Sequence, residues 1–455
     1  MLAVRNGDRA ITAASRREHR WRRFKMRPWG KFLIALCLAA LWVSLSAWLA
    51  LAWVDSIADH AGTVLAWILV SLLALVPGFV VALMGASLAM DRQPPLLVQE
   101  PTTPVTVIVA AYNEEAGIGE TVRKIVASDY RGQVRIIVAD NNSTDRTAEL
   151  AEQVAAETGA DLRIIKEPTP GKSHALNAAL QYVDTDLVIT VDADTLLHPQ
   201  ALRRLISRME TGPGRVSAVA GTVLVRNSRT NLLTRMQEWD YWIGIAAVKR
   251  MQGMYSATLV AQGAFSVYRT EELLRVGGWP DAIGEDIVVT WRLMEDGSRV
   301  LFEPTAVAFT DAPAELNHYV KQRARWARGM FEGITAVPPW SQSRVLAKLV
   351  ASIDFLIPLL DIGYALVWLP GLLLLLLGYP VLVGVWTLLV FPITFLMYGI
   401  LRHYQSSRVF GQLGLRVRRN RIGYLAFILC YQALASTASI VGYLQFLFRR
   451  ERVWR

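Results

Sequence analysis

Five apolar stretches, at residues 29–54, 62–90, 353–377, 379–401 and 422–448, bracket a middle of mixed polarity. Each is long enough to cross a bilayer core, which takes about 20 helical residues. They decide what the chain can fold into: membrane helices at both ends and a soluble domain between them. The hydrophobic fraction of 53% is inflated by these segments and says little about the soluble core. The expected organisation is a basic tail at 1–28, two spans at 29–90, a soluble domain at 103–340, an interfacial helix with about three spans at 341–448, and a basic tail at 449–455.

The net charge of +10 is concentrated at membrane edges. Arg5, Arg9, Arg16, Arg17, Arg20, Arg22, Arg23, Lys25, Arg27 and Lys31 are opposed only by Asp8 and Glu18, which favours a cytoplasmic amino terminus and a middle domain returned to the cytosol. The excess follows the lipid bilayer, so no nucleic-acid partner is expected. At the other end, the basic loop 402–421 is expected in the cytosol, and one last span then puts Arg449, Arg450 and Arg452 outside. Either the positive-inside tendency is broken there or 341–370 holds an interfacial helix. Asp354 and Asp361 lie seven apart in an apolar stretch, on one helical face, either walling a channel or near the interface. Cys37 and Cys430 both fall in spans, which excludes a disulfide framework and a zinc site.

The middle reads as alternating strand, polar loop and helix: Val105-Thr-Val-Ile-Val-Ala-Ala111 before Tyr112-Asn-Glu114-Glu115, and Arg135-Ile-Ile-Val-Ala139 before Asp140-Asn-Asn-Ser-Thr-Asp145. Such alternation predicts an α/β doubly wound sheet whose crevice lies beyond the carboxyl ends of its strands. Asp186-Leu-Val-Ile-Thr-Val191 is a buried-strand pattern that ends in Asp192-Ala-Asp194. Alternation turns both aspartates to one side, where they can hold a ribose and a hard divalent cation; a strand-end turn capping the next helix is the simpler reading. Gly171-Lys172 adds close backbone approach and a phosphate-seeking lysine without Walker spacing. Glu285-Asp286 opens a helix, as the helix dipole favours, and supplies a carboxylate of the kind a general base needs.

In this order, Tyr112-Asn-Glu114, Asp140-x-x-Ser-Thr-Asp145, Gly171-Lys172, Asp192-x-Asp194, Glu285-Asp286 and Gln322-x-x-Arg325-Trp326 resemble the family 2 inverting glycosyltransferases. They are similar to its membrane-embedded processive branch, which holds cellulose, chitin, hyaluronan and poly-N-acetylglucosamine synthases. The stretch from Trp239 to Arg250 resembles bacterial poly-β-1,6-N-acetylglucosamine synthases most.

The resemblance implies a GT-A-like domain inserted between transmembrane helices of a bacterial inner membrane. It implies a UDP-sugar donor held by Tyr112, Glu114, Asp140, Lys172, Asp192 and Arg325, and Mg²⁺ or Mn²⁺ on Asp194 with Asp192. Asp286, with Glu285 beside it, is implied as the base, and Gln262, Gly263, Gln322 and Trp326 as the acceptor side. Asp-Asn-Asn stands where many members have Asp-Asp-Gly, so Asp140 and Asn141 both remain candidates for the base-contacting position. Gln262 stands where a serine or cysteine is common. A growing polysaccharide is the implied acceptor, and a small membrane subunit or exporter is a further partner relatives use. Hyaluronan or chitin synthesis, transfer of one sugar to a lipid phosphate carrier, and a non-enzymatic export scaffold are the alternatives.

Overall fold

The computed structural model describes residues 26–91, 95–384, 390–415 and 419–448. The basic segment 1–25, the tail 449–455, residues 416–418 of the expected basic loop, and 385–389 within the stretch at 379–401 lie outside the described residues.

The chain enters through α1 (Pro28–Leu49) and α2 (Thr63–Ala89). The soluble part is built on β1 (Val105–Ala111), β2 (Val134–Asp140), β3 (Leu162–Lys166), β4 (Leu187–Asp192), β5 (Leu196–Leu197), β6 (Val216–Val225), β7 (Phe265–Arg269) and β8 (Arg299–Thr310). These form one sheet in the order β3-β2-β1-β4-β7-β6-β8-β5. Every residue of β1 is buried, which explains an unbroken apolar run in place of in-out alternation. Helices α3 (Ile118–Val126), α4 (Thr147–Thr158) and α5 (Lys172–Leu180) make the crossovers. On α3 the buried set Ile118, Thr121, Val122 and Ile125 is one face at helical spacing.

The doubly wound pattern holds through β4, where β3, β2, β1 and β4 are all parallel. Ala110 stands opposite Asp192 and Ala111 opposite Asp140, so the carboxyl ends are in register. Beyond β4 the sheet is mixed: β7 is antiparallel to β4 and β6, β6 is parallel to β8, and β5 is antiparallel to β8. The reason is local. The chain reaches β7 from residues 262–264, already at the carboxyl edge, so β7 can only run back from it.

The second half also carries α6 (Leu232–Trp239), α7 (Ala246–Met254), α8 (Glu285–Glu295) and α9 (Leu316–Ala336), and the chain continues into α10 (Val345–Leu376) and α11 (Arg421–Leu447). Among the described residues α1, α2, α10 and α11 are long and apolar enough to cross a membrane. One face of the sheet buries Val105, Val107 and Val109 against Ile118 and Leu205. The other joins Ile108, Leu176 and Trp291 to Phe32, Leu88, Val350 and Tyr431, so the flanking helices share the core of the domain built on the sheet.

Polar contacts tie the same junctions. Arg250 of α7 meets Asp91 beyond α2 at 2.6 Å, with both side chains buried, and Ser87 and Tyr255 hydroxyls lie 2.8 Å apart. A Cβ on Gly442 of α11 would stand 2.1 Å from the Ala324 carbonyl oxygen of α9; only glycine permits that approach. Asp361 is buried and accepts hydrogen bonds from Ser436 at 2.7 Å and Tyr443 at 2.5 Å. Its carboxylate is satisfied by α11, which accounts for a charged residue in an apolar helix.

Candidate active site

A cleft of about 750 Å³ opens at the carboxyl edge of the sheet, between β4, the residues before β7, and the helices α7, α8 and α9. Every candidate site residue except Asp140 and its alternative Asn141 lines it.

The loops after β1 and β2 brace one another. Asn113, at φ 53°, accepts from the Thr144 N–H at 2.8 Å, and its own N–H donates to Ser143 at 3.0 Å. The Glu114 N–H donates to Thr147 at 2.8 Å and the Glu115 N–H to Asp145 at 3.1 Å. The Ser-Thr-Asp part of the motif thus orders the loop that presents Tyr112 and Glu114. Asp140 is buried and accepts from the Ser143 N–H at 3.0 Å, shaping this loop from below the cleft. Asn141 reaches the other way. Its amide donates to the Glu167 and Thr169 carbonyls and its oxygen accepts from the Gly171 N–H at 2.7 Å, which fixes the turn before Lys172. Gly171 takes φ 140°, a backbone other residues rarely adopt.

Lys172 lies 2.5 Å from Asp192 and 3.9 Å from Glu285. Burial alone would lower its pKa, but those carboxylates hold it above the ordinary lysine value. A Cβ on Gly263 would sit 2.6 Å from the Lys172 Nζ, so glycine there makes room for the ammonium. Gln262 donates to the Gly221 carbonyl at 2.6 Å and leaves its Oε1 unpartnered. Asp194 accepts from Thr310 at 3.1 Å and Thr195 at 3.2 Å, and burial and Asp192 raise its pKa. Burial, then Asp194, Asp192 and Asp145, push Glu114 up to about 7.

Glu285 and Asp286 form the first turn of α8, where the helix dipole favours carboxylates. Burial and adjacent Asp286 hold the Glu285 carboxyl well above the usual range. Opposite lies Lys249 of α7, lowered to about 8 by burial against the pull of Asp286. On α9, Gln322, Arg325 and Trp326 share the cleft wall, and Trp326 is 37% exposed. The helices meet backbone to backbone, since a Cβ on Gly284 would lie 2.7 Å from the Gly329 carbonyl oxygen. That contact sets the reach from Asp286 to Trp326.

The motif reading assigns no site role to Lys249, Thr310, Tyr241 or Arg323, all of which line the cleft. Thr310 could have been found as the last residue of a strand ending at this edge. Lys249 carried one signal, its place in the stretch from Trp239 to Arg250 that the resemblance uses.

Residues 101–329, half of the chain, match the model of the family described as "Glycosyltransferase like family 2". Over 245 residues the chain is 31% identical to a poly-β-1,6-N-acetyl-D-glucosamine synthase of Staphylococcus aureus (strain COL), covering 54% of this chain and 58% of that protein. It is also 31% identical over 245 residues to an N-acetylglucosaminyltransferase of Mesorhizobium japonicum, covering 51% of this chain and 57% of that protein. The alignments span a little over half the length of these curated relatives. Among solved structures, a mannosyltransferase from Pyrobaculum calidifontis, in complex with GDP-Man and Mn²⁺, superposes with a TM-score of 0.56 at 20% identity, over 85% of this chain and 99% of that one. That likeness shows the fold, GT-A, in which the parallel half precedes a mixed half. With half of its length matched and its cleft built at the edge that the motifs predict, the chain belongs to the glycosyltransferase-like family 2.

Proposed function

We propose that the protein is an inverting, processive glycosyltransferase that builds poly-N-acetylglucosamine from a UDP-sugar and passes the product across a bacterial inner membrane, with its cleft in the cytosol. The observation that carries this reading is one cleft holding Asp192 and Asp194, Asp286, and Gln322 with Arg325 and Trp326, on a domain whose core is continuous with candidate spanning helices. The S. aureus and M. japonicum relatives support the choice of sugar.

Tyr112 and Glu114 receive the nucleoside, on a loop that Ser143, Thr144 and Asp145 keep in place. Lys172 and Arg325 meet the diphosphate; Arg325 makes no salt bridge among the described residues and is available for it. Asp286 accepts the proton of the acceptor hydroxyl as that oxygen bonds to the anomeric carbon, and the bond from that carbon to the diphosphate oxygen breaks with inversion. Trp326 offers an indole face to the acceptor pyranose.

The residues fit a divalent cation. Among the described residues no cluster of three or more ligating side chains occurs. Among the described residues Asp194 makes no salt bridge, and after burial its charge and that of Asp192 raise Glu114. One or two carboxylates with open positions suit Mg²⁺ or Mn²⁺ sharing its remaining ligands with a diphosphate. When bound, the cation would offset charge on the departing nucleoside diphosphate.

The test is incorporation of labelled sugar from UDP-N-acetylglucosamine, with Mg²⁺ or Mn²⁺, by the purified chain in lipid nanodiscs. High-molecular-weight product that is absent with Asp286→Asn is expected, and linkage analysis then separates β-1,6 from β-1,4 polymer. A product only when a second UDP-sugar is added would replace this reading with hyaluronan synthesis.

A further inference from the structure

Arg323, between Gln322 and Arg325 on α9, is 8% exposed and forms the back of the cleft. Four aromatic rings surround its guanidinium: Trp326 at 4.3 Å, Tyr319 at 5.3 Å, Tyr241 at 5.8 Å and Tyr431 at 5.9 Å. A guanidinium over an indole face is held by the ring quadrupole, most strongly away from water. A buried cation also needs an anion. Asp240 supplies it at 2.8 Å.

Asp240 is set up from three sides. It begins a π-helical turn, Asp240–Ile245, between α6 and α7, a distortion often found at functional positions. The hydroxyl of Tyr431, from α11, donates to its Oδ2 at 2.9 Å. A Cβ on Gly244 would come 2.8 Å from its Oδ1, so glycine in the next turn leaves the carboxylate its place. The same turn carries Tyr241, whose ring lies 6.1 Å from that of Trp326 at 54°.

We infer that Asp240 is a positioning residue: through Arg323 it fixes the indole of Trp326 for the acceptor sugar, and Tyr431 of α11 aims its carboxylate. The inference rests on the reading above that Trp326 meets the acceptor. Neutralising Asp240 leaves Arg323 buried without its anion, and the guanidinium then leaves the indole to find another.

The test uses the full chain in nanodiscs with UDP-N-acetylglucosamine as donor and N-acetylglucosamine pentasaccharide as acceptor, in a double-mutant cycle of Asp240→Asn and Trp326→Ala. Asp240→Asn is expected to raise the acceptor KM about tenfold and to change the donor KM by less than about twofold. In the Trp326→Ala background it adds nothing, and Asp240→Glu restores most of the loss. Additive effects in the cycle, or equal shifts of donor and acceptor KM, overturn the inference. If Asp240→Asn does not accumulate, Tyr431→Phe enters the same cycle with a rise of about threefold expected and the same criteria. A wild-type chain that transfers no sugar to the acceptor overturns the proposed function and this inference with it; normal wild-type transfer with an additive cycle sinks the inference alone.

Discussion

Asp286 is where loss of one oxygen's basicity should matter most. Asp286→Asn is expected to lower kcat by about 10²- to 10⁴-fold while UDP binding, followed by calorimetry, stays as in the wild type. Asp194→Asn should remove the gain in UDP affinity that Mn²⁺ confers and leave the metal-free affinity nearly unchanged. Lys249 makes a prediction of pH dependence. Its pKa falls from 10.5 when free to about 8 in the fold, so between those values the unfolded chain binds the extra proton and stability rises with pH. Below pH 8 the full cost of a buried ammonium is felt. Lys249→Met should therefore be more stable than the wild type at pH 7, by about 3 kcal/mol, with the gap closing towards pH 10.5 in melts of the nanodisc-bound protein. Asp192 and Asp194 were legible because the apolar run before them marks a strand that ends at the carboxyl edge, and Lys172 because Gly171-Lys172 stands in the same order of motifs. Lys249 and Asp240 were not, since their meaning depends on partners that other helices bring to them. Asn141 shows the intermediate case: its position is legible, but its hold on Gly171 needs the fold.

At the level of elements, β1, β2 and β4 were readable because each is a largely buried apolar run ending in a polar loop; β3, none of whose residues is buried, was not. The mixed half was not, because an apolar strand looks the same in either direction, and only the arrival of the chain at the cleft turns β7 around. Where α8 and α9 cross, Gly284 and Gly329 leave no room for a methyl group. A Cβ on Gly329 would stand 2.9 Å from the Gly284 Cα. Gly329→Ala is expected to cost about 1–3 kcal/mol and to separate Asp286 from Trp326, so kcat should fall by more than the loss of folded protein explains. Comparing active-site titration with total protein checks this.

Across the whole molecule, the Arg250–Asp91 pair joins the first two candidate spans to the cleft wall, with side chains 5% and 4% exposed. Asp91→Ala would leave the Arg250 guanidinium buried without that carboxylate, at an expected cost of about 3–5 kcal/mol. Proteolysis of detergent-solubilised protein should then cut between α2 and β1 at protease levels that spare the wild type. The contact of Gly442 with Ala324 reaches further. A bilayer thicker or thinner than the apolar length of α11 tilts such a helix, and at a backbone-to-backbone contact the tilt passes to the turn that carries Trp326. If α11 spans the bilayer, the rate of sugar transfer in nanodiscs is expected to change with acyl-chain length.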